Sequence, residues 1–277
     1  ANDLALRTAN RIADAWRSLN GGIDIRSAAQ FPGRVKQPMP PTDGLFVVGG
    51  DGFLLEIVSL MTLYSIRMPI CGWNAGHVGF HMNDVPHADA DLASALRKVV
   101  DLACEVEPYQ LLVATWLQDG RVPMGVRAFN EIAFIPQRPG QIAKLEFSVD
   151  GQSLGMHSGD GILIATPQGT TGWGVGARGP AMDPRVPGMV LIPKDPHPAM
   201  RYQQLLFPVV LPPGARITVH VVEPEKRPVA VIADGGTPAT ILEATITMDA
   251  DTPPITMLSL RDADGRGRFV RRLYEKF

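Results

Sequence analysis

Apolar residues recur at three- and four-residue spacing in a few stretches of the chain, and at two-residue spacing or in short runs elsewhere; this change of period divides it. The first helical stretch is 3–19, where Leu4, Leu6, Ala9, Ile12, Ala13 and Trp16 carry the spacing until Asn20-Gly21-Gly22 stops it. A second covers 53–66 through Leu54, Leu55, Ile57, Val58, Met61 and Leu63, and a third covers 89–103 through Leu92, Leu96, Val99 and Val100. Around the second helix lie two apolar runs, 45–48 (LFVV) and 68–73 (MPICGW), each ending in a glycine-containing loop. Strand, helix, strand with both loops at the same end is a βαβ unit. Its right-handed crossover places the two loops on one rim of a parallel sheet.

From about Tyr109 the period becomes two. Strands are predicted at 110–117, 127–135, 144–149, 161–166, 189–192, 216–222, 229–233, 244–248 and 255–260, with Asp150-Gly151 as a two-residue hairpin turn. A short helix or turn is predicted over 268–277, and a proline-rich connector at 31–41 leads into the first strand. The fold class expected is α/β: a Rossmann-like N-terminal domain over 1–105, then an all-β, β-sandwich-like domain over 106–261, with 262–277 returning to the first domain.

Composition narrows the class. The 277 residues suffice for one large domain or two modest ones, and 45% apolar with 19% charged residues is a globular balance. No apolar run reaches the length of a membrane span and the N-terminus lacks a signal-peptide layout, so no membrane partner and a cytoplasmic location are expected. A net charge of −2 gives no attraction to nucleic acid, and the basic concentration at 261–276 reads as a solvated terminal face. The two cysteines, Cys71 and Cys104, make no disulfide or metal framework. The six histidines lack ligand spacing, and no structural metal is expected.

Chemistry enters at the first loop. Gly49, Gly50, Asp51 and Gly52, followed by Phe53, stand where a strand hands over to a helix N-terminus. There, unpaired backbone N–H groups, the positive end of the helix dipole and missing Cβ atoms favour a phosphate. A carboxylate in that place repels the anion unless Mg²⁺ intervenes or the carboxylate takes a proton from an attacking hydroxyl. By itself GGDG is equally an ordinary turn with Asp51 as turn-former. A second constellation, residues 159–180, runs from a strand into a glycine- and hydroxyl-rich turn able to offer N–H and Thr hydroxyl groups. Trp173 there offers an aromatic face to a base, or fills core.

Taken together, GGDG at 49–52, the Asn130-Glu131 pair in FNEI and the block DGILIATPQGTT at 160–171 resemble the NAD kinase family. The loop NAGHVGF at 74–80 is similar to that family's N-x-G-x-x-GF segment. EPEKRP at 223–228 and Asp234 in VIADGG are similar to a bacterial branch that also has Phe after GGDG. The resemblance runs in order from about residue 43 onward. It implies Mg²⁺-dependent phosphoryl transfer from ATP, or polyphosphate, to the adenosine-ribose 2′-hydroxyl of NAD, giving NADP. It implies Asp51 as the residue that orients or deprotonates that hydroxyl, with Gly49, Gly50, Gly52 and Phe53 as the donor-phosphate loop. NAD would be held by Asn74, Phe80, Asn130, Glu131, Asp160, Thr170, Thr171, Gly172, Trp173, Gly176 and Asp234, with Asp160 reaching the nicotinamide amide from a neighbouring subunit. The family forms homodimers or homotetramers, and its site lies between an α/β and a β-rich domain.

The pattern departs from the family in three places. The usual opening strand has no counterpart ahead of the first helix. Thr171-Gly172-Trp173 replaces Thr-Ala-Tyr, exchanging a phenol for an N–H that only donates. The helix expected after that loop contains Gly172, Gly174 and Gly176, each costing about 1 kcal/mol against Ala in a helix interior. Two other functions compete: a lipid or diacylglycerol-type kinase sharing the GGDG loop, and a nucleotide-binding homologue with altered specificity or a sensing role.

Overall fold

Helix α1, Asp3–Ser18, turns the stripe read from the sequence inward, burying Ile12 and Ala13. The computed structural model describes residues 3–19, 21–23, 44–118, 120–197, 204–260 and 268–276; the predicted connector at 31–41 and the tail segment 261–267 lie outside them. The chain forms two units, Ala1–Tyr109 with Pro254–Phe277, and Gln110–Pro253.

In the first unit, β1 (Leu45–Gly49) leads through Gly50 into α2 (Asp51–Leu63), and β2 (Ile70–Asn74) pairs parallel with β1. The predicted βαβ unit is present, with α2 burying Leu54, Ile57, Val58 and Met61. Helix α3 (Asp89–Val100) packs Leu92, Leu96 and Val99 with Ile12 of α1 and with Cys71, Trp73 and Leu258 of the sheet. Cys71 is thus a core thiol, as expected of a small apolar side chain in a strand.

Two strands at the ends of the alternating region, β3 (Glu105–Tyr109) and a final strand at 255–259, hydrogen-bond into this first sheet, in the order β1-β2-final strand-β3. The period-two pattern places 255–260 in the all-β part and predicts no strand over 105–109. Alternation reports that a segment is a strand; the choice of sheet is made by partners distant in sequence. The side chain of Asn83 fixes the arrangement, donating to Gly72 O (2.9 Å) and Leu258 O (3.0 Å) and accepting from Leu260 N (2.8 Å).

Among the described residues the second unit is an antiparallel sheet of eleven strands. In chain order these are β4 (Leu112–Gln118), β5 (Val122–Ala128), β6 (Glu131–Pro136), β7 (Ala143–Val149), β8 (Gln152–Ala165), β9 (Met189–Pro196), β10 (Val209–Leu211), β11 (Ile217–Val221), β12 (Val229–Ala233), β13 (Ala239–Ile241) and β14 (Glu243–Met248), the final strand of the first sheet being β15 (Ile255–Ser259). The predicted strand over 127–135 is two strands, because residues 129 and 130 turn a corner between β5 and β6. The β7–β8 hairpin closes on Asp150 (φ 52°) and Gly151 (φ 79°), the positive pair that a type I′ turn requires.

Strand β8 is much longer than the predicted 161–166. Its first half, QSLGMHSGD, is polar and glycine-rich and carries no period-two signal, yet it pairs with β7. Its second half pairs with β6 on one side and β9 on the other, so one strand serves three neighbours. The core beneath it gathers Leu112, Trp116, Phe134, Leu145, Phe147, Ile162, Leu191, Ile217 and Ile246.

The chain ends in α5 (Arg268–Lys276), which belongs to the first unit. Arg271 bonds Asp84 at 2.8 Å, and Arg272, with a side chain 5% exposed, pairs with Asp84 and with Glu275 at 3.1 Å. The terminal basic face is therefore partly an internal ion-pair network. Among the described residues no helix is long and apolar enough to cross a membrane.

Candidate active site

Polar groups gather at two places, one in each unit. In the first unit β1 runs out at Gly49, Gly50 caps α2 without any side-chain bond, and Asp51 and Gly52 occupy the first helical turn. The leading N–H groups of a helix have no intrahelical acceptor, so this end offers donors and a positive dipole to an anion. The opposing loop comes within backbone distance: Ala75 N–H donates to Gly49 O at 2.7 Å, and a Cβ placed on Gly76 would stand 2.9 Å from the Cα of Gly50. Two glycines are the condition for this approach.

Asp51 joins the same loops. Its Oδ2 accepts from Phe80 N at 2.8 Å and its Oδ1 from His81 N at 3.0 Å. The carboxylate is thus held in place, with further lone pairs on each oxygen. Asn74 works inside its own loop, accepting from Gly76 N (2.9 Å) and donating to Val78 O (3.2 Å). Phe80 is buried at 8% exposure, edge-on to Phe269 of α5 at 6.0 Å. The ring of Phe53 lies against Gly49, where a Cβ would meet it at 2.8 Å.

In the second unit the corner at 129–131 is enclosed by the TPQGTT turn. Thr166 N donates to Asn130 O (2.9 Å) and its hydroxyl to Phe129 O (2.6 Å), while Gln168 Nε2 donates to Phe129 O (2.8 Å) and Gln110 O (2.9 Å). A Cβ on Gly169 would fall 2.0 Å from Asn130 O, so the turn rests directly on that backbone. Thr166 and Gln168, which the motif reading passed over, are the residues that dock the turn; the signal available was their place inside the same block.

Beside this corner two buried side-chain atoms have no hydrogen-bond partner, Asn130 Oδ1 and Glu131 Oε2. Gly172 lies over them: a Cβ there would stand 3.6 Å from Glu131 Oε2 and 3.8 Å from Asn130 Nδ2. Buried polar atoms are nearly always satisfied in folded proteins, so an orphaned pair at an accessible glycine is the mark of a site for a polar ligand. Burial, reinforced by the charge of Asp234, pushes the Glu131 carboxyl up to about 7. Burial also raises the Asp234 carboxyl, against the backbone N–H groups of Phe129, Asn130 and Glu131 that it accepts.

That shift has a consequence for stability. The folded chain holds the Glu131 proton more tightly than the unfolded chain, whose ordinary value is 4.5. The stabilisation is complete below that value and is lost as pH rises through about 7, by up to ~3 kcal/mol. Urea unfolding at about pH 5 and pH 8 checks it, and Glu131→Gln is expected to flatten the difference.

The remaining predicted residues divide. Thr170 and Thr171 are buried, and their hydroxyls serve the turn: Thr170 donates to Pro167 O (2.6 Å) and accepts from Met182 N (2.9 Å), and Thr171 donates to Gln168 O (3.3 Å). A 3₁₀ turn, Gln168–Thr171, is followed by the single helical turn α4 (Trp173–Gly176), in keeping with the glycines that weaken a longer helix. Trp173 is 37% exposed at its start, and Gly176 is exposed at its end. Asp160 stands apart. Glu131 pairs with Ala165 of β8, and the five residue steps from Asp160 to Ala165 span ~16 Å of strand. Its carboxylate meets Lys194 at 3.4 Å.

An α/β unit with a glycine-built helix start, joined in one chain to an antiparallel β unit, is the fold of solved NAD and NADH kinases. An NAD kinase from Archaeoglobus fulgidus, solved in complex with ATP, has this fold with a TM-score of 0.73, at 24% identity over 96% of this chain and 93% of that one. Residues 129–247 match the family model of the ATP-NAD kinase C-terminal domain. The NAD kinase of Zymomonas mobilis is 33% identical over 222 residues, 78% of this chain and 80% of that relative; the NAD kinase of Caulobacter vibrioides is 34% identical over 236 residues, 84% and 83%. The chain belongs to the NAD kinase family.

Proposed function

We propose that the protein transfers the terminal phosphoryl group of ATP, or of polyphosphate, to the 2′-hydroxyl of the adenosine ribose of NAD, giving NADP. The observation that carries this is a single carboxylate, Asp51, fixed by two backbone N–H groups at the first turn of a helix that glycines leave open. An anion site has no use for a negative side chain unless that side chain deals with a hydroxyl or a metal. The family membership of the chain and the orphaned Asn130 and Glu131 atoms support a nucleoside as the second ligand.

In this reading the N–H groups at Gly50, Asp51 and Gly52 bind the donor phosphates, with Gly49 and Phe53 shaping the strand end behind them. Asn130 and Glu131 bind the NAD ribose and base, and Trp173 lends a ring face beside Gly172 and Gly176. Asp51 orients the 2′-hydroxyl and receives its proton as the new O–P bond forms and the bond to the leaving phosphate breaks. Such transfer rests on positioning and charge stabilisation. Mg²⁺, when bound with the donor, neutralises phosphate charge. Among the described residues no group of three His, Cys, Asp or Glu side chains stands to hold a metal alone. These residues fit an ion carried on donor phosphates and water, with Asp51 the protein carboxylate at the loop.

Thr170 and Thr171 act by shaping the turn, and Asn74 and Phe80 by shaping the loop that Asp51 holds. Asp160, remote from Glu131 along β8, reaches the nicotinamide amide from a second copy, which makes a homodimer or homotetramer part of the proposal. The test is NADP formation from NAD with ATP and Mg²⁺, and separately with polyphosphate, followed by an NADP-specific dehydrogenase. Micromolar-to-millimolar NAD saturation with either donor is expected; binding of NAD with no NADP from either donor rejects the reading.

A further inference from the structure

The corner at 129–131 presents three consecutive backbone N–H groups to one side chain. Asp234 Oδ2 accepts from Phe129 N at 2.7 Å, and Oδ1 accepts from Asn130 N at 2.8 Å and Glu131 N at 3.1 Å. The backbone N–H of Asp234 returns to Glu131 O at 3.1 Å. Asp234 sits one residue beyond β12 in left-handed backbone, φ 48°, a conformation Asp tolerates better than most side chains. Every oxygen of this carboxylate is thus committed to the main chain, whereas the side chains of Asn130 and Glu131, whose backbone it holds, each keep a buried atom without a partner.

We propose that Asp234 is a positioning residue for the nucleoside end of the site, fixing Asn130 and Glu131 through their backbone and acting on the Glu131 side chain through its charge. The inference rests on the reading of that pair as NAD ligands, and it differs from the resemblance, which would have Asp234 touch NAD itself. The elements around Glu131 are β8 at Ala165, the end of β12 at Ala233 and Asp234, and the turn at Gly169 to Gly172. Among the described residues, Asp234 is the charged group from these elements that acts on it.

A proton on Glu131 gives the pair complementary hydrogen-bonding characters. The Asn130 carbonyl oxygen accepts and the Glu131 carboxylic acid donates, which suits sugar hydroxyls that must do both. The three N–H groups bound to Asp234 lower its carboxyl against the rise from burial, whereas burial and the charge of Asp234 both raise that of Glu131. The two groups then titrate as a coupled pair.

The test uses Asp234→Asn in the full chain, with carboxyl-carbon NMR titration and steady-state kinetics, the Glu131 signal being assigned by its loss in Glu131→Gln. In the wild type the Glu131 midpoint is expected near 7. In Asp234→Asn it is expected to move down by about one pH unit or more, with the midpoint of the pH profile of KM for NAD following it. At pH 7.5 KM for NAD is expected to rise about tenfold with kcat within about threefold, the split of a lost binding geometry. A merely structural Asp234 would lower the melting temperature and leave the Glu131 midpoint where it is, and that result overturns the proposal. Should the variant not fold, the wild type decides: two-step titration of both carboxyls is expected, and a single step for Glu131 in the ordinary carboxylate range overturns the coupling. Because the NMR readout needs no turnover, it stands even if the wild type makes no NADP.

Discussion

Asp51→Asn lowers kcat for NADP formation about a thousandfold while KM for NAD stays within about threefold, if the carboxylate acts on the reacting hydroxyl as proposed. The variant is nearly isosteric, so positioning is largely kept and the proton acceptor is lost. It also disturbs the loop. Asp51 accepts from both Phe80 N and His81 N, and an amide turns one accepting oxygen into a donor that faces one of those N–H groups. The expected loss of stability is about 1–3 kcal/mol, the cost of leaving a part-buried donor unpaired. Kinetics and thermal unfolding on the same preparation separate the two effects. Retention of more than about a tenth of kcat would confine Asp51 to a structural role, because general acid–base contributions run to two to four orders of magnitude.

The second large effect is expected at a residue with no functional group. Gly169→Ala puts a methyl 2.0 Å from Asn130 O, 2.4 Å from its carbonyl carbon and 2.5 Å from its Cα. All three atoms are backbone, so no side chain can rotate away. Either the turn at 168–171 lifts or the corner at 129–131 shifts, and overpacking of this kind typically costs about 1–3 kcal/mol. A displacement of the corner carries Asn130 and Glu131 with it. NAD affinity is expected to fall at least tenfold, while ATP affinity, which the proposal assigns to the start of α2, changes little. Titration calorimetry with each nucleotide checks this, and equal losses for both would mean that the variant unfolds.

These two residues also show what the sequence could disclose. Asp51 was legible because a carboxylate inside a glycine loop at a strand-to-helix junction is chemically odd, and local spacing places it there. The βαβ order, the Asp150-Gly151 hairpin and the three long helices were legible for the same reason: each is set by neighbours within a dozen residues. The role of Gly169 was not, because what forbids a side chain is the backbone of Asn130, 39 residues away in sequence. The first half of β8 was hidden by glycines and polar residues that pair only because β7 lies alongside. Likewise, the presence of β15 in the first sheet follows from its pairing with β2, and that of β3 from its pairing with β15, neither of which any local pattern contains. Asn130 and Glu131 were named from family resemblance; their unsatisfied atoms became visible only once the turn was folded over them.

The clasp that Asp234 makes on residues 129–131 joins positions 103 to 105 apart in sequence. A ribosome that has released residue 131 has therefore made Asn130 and Glu131 but not the carboxylate that holds their backbone, and it must synthesise most of the remaining sheet before that group exists. Contacts of such separation close late and slowly. Nascent or truncated chains ending before residue 234 thus carry Asn130 and Glu131 without the carboxylate that holds their backbone. Only once residue 234 has been made can the three N–H groups of the corner meet the carboxylate that binds them.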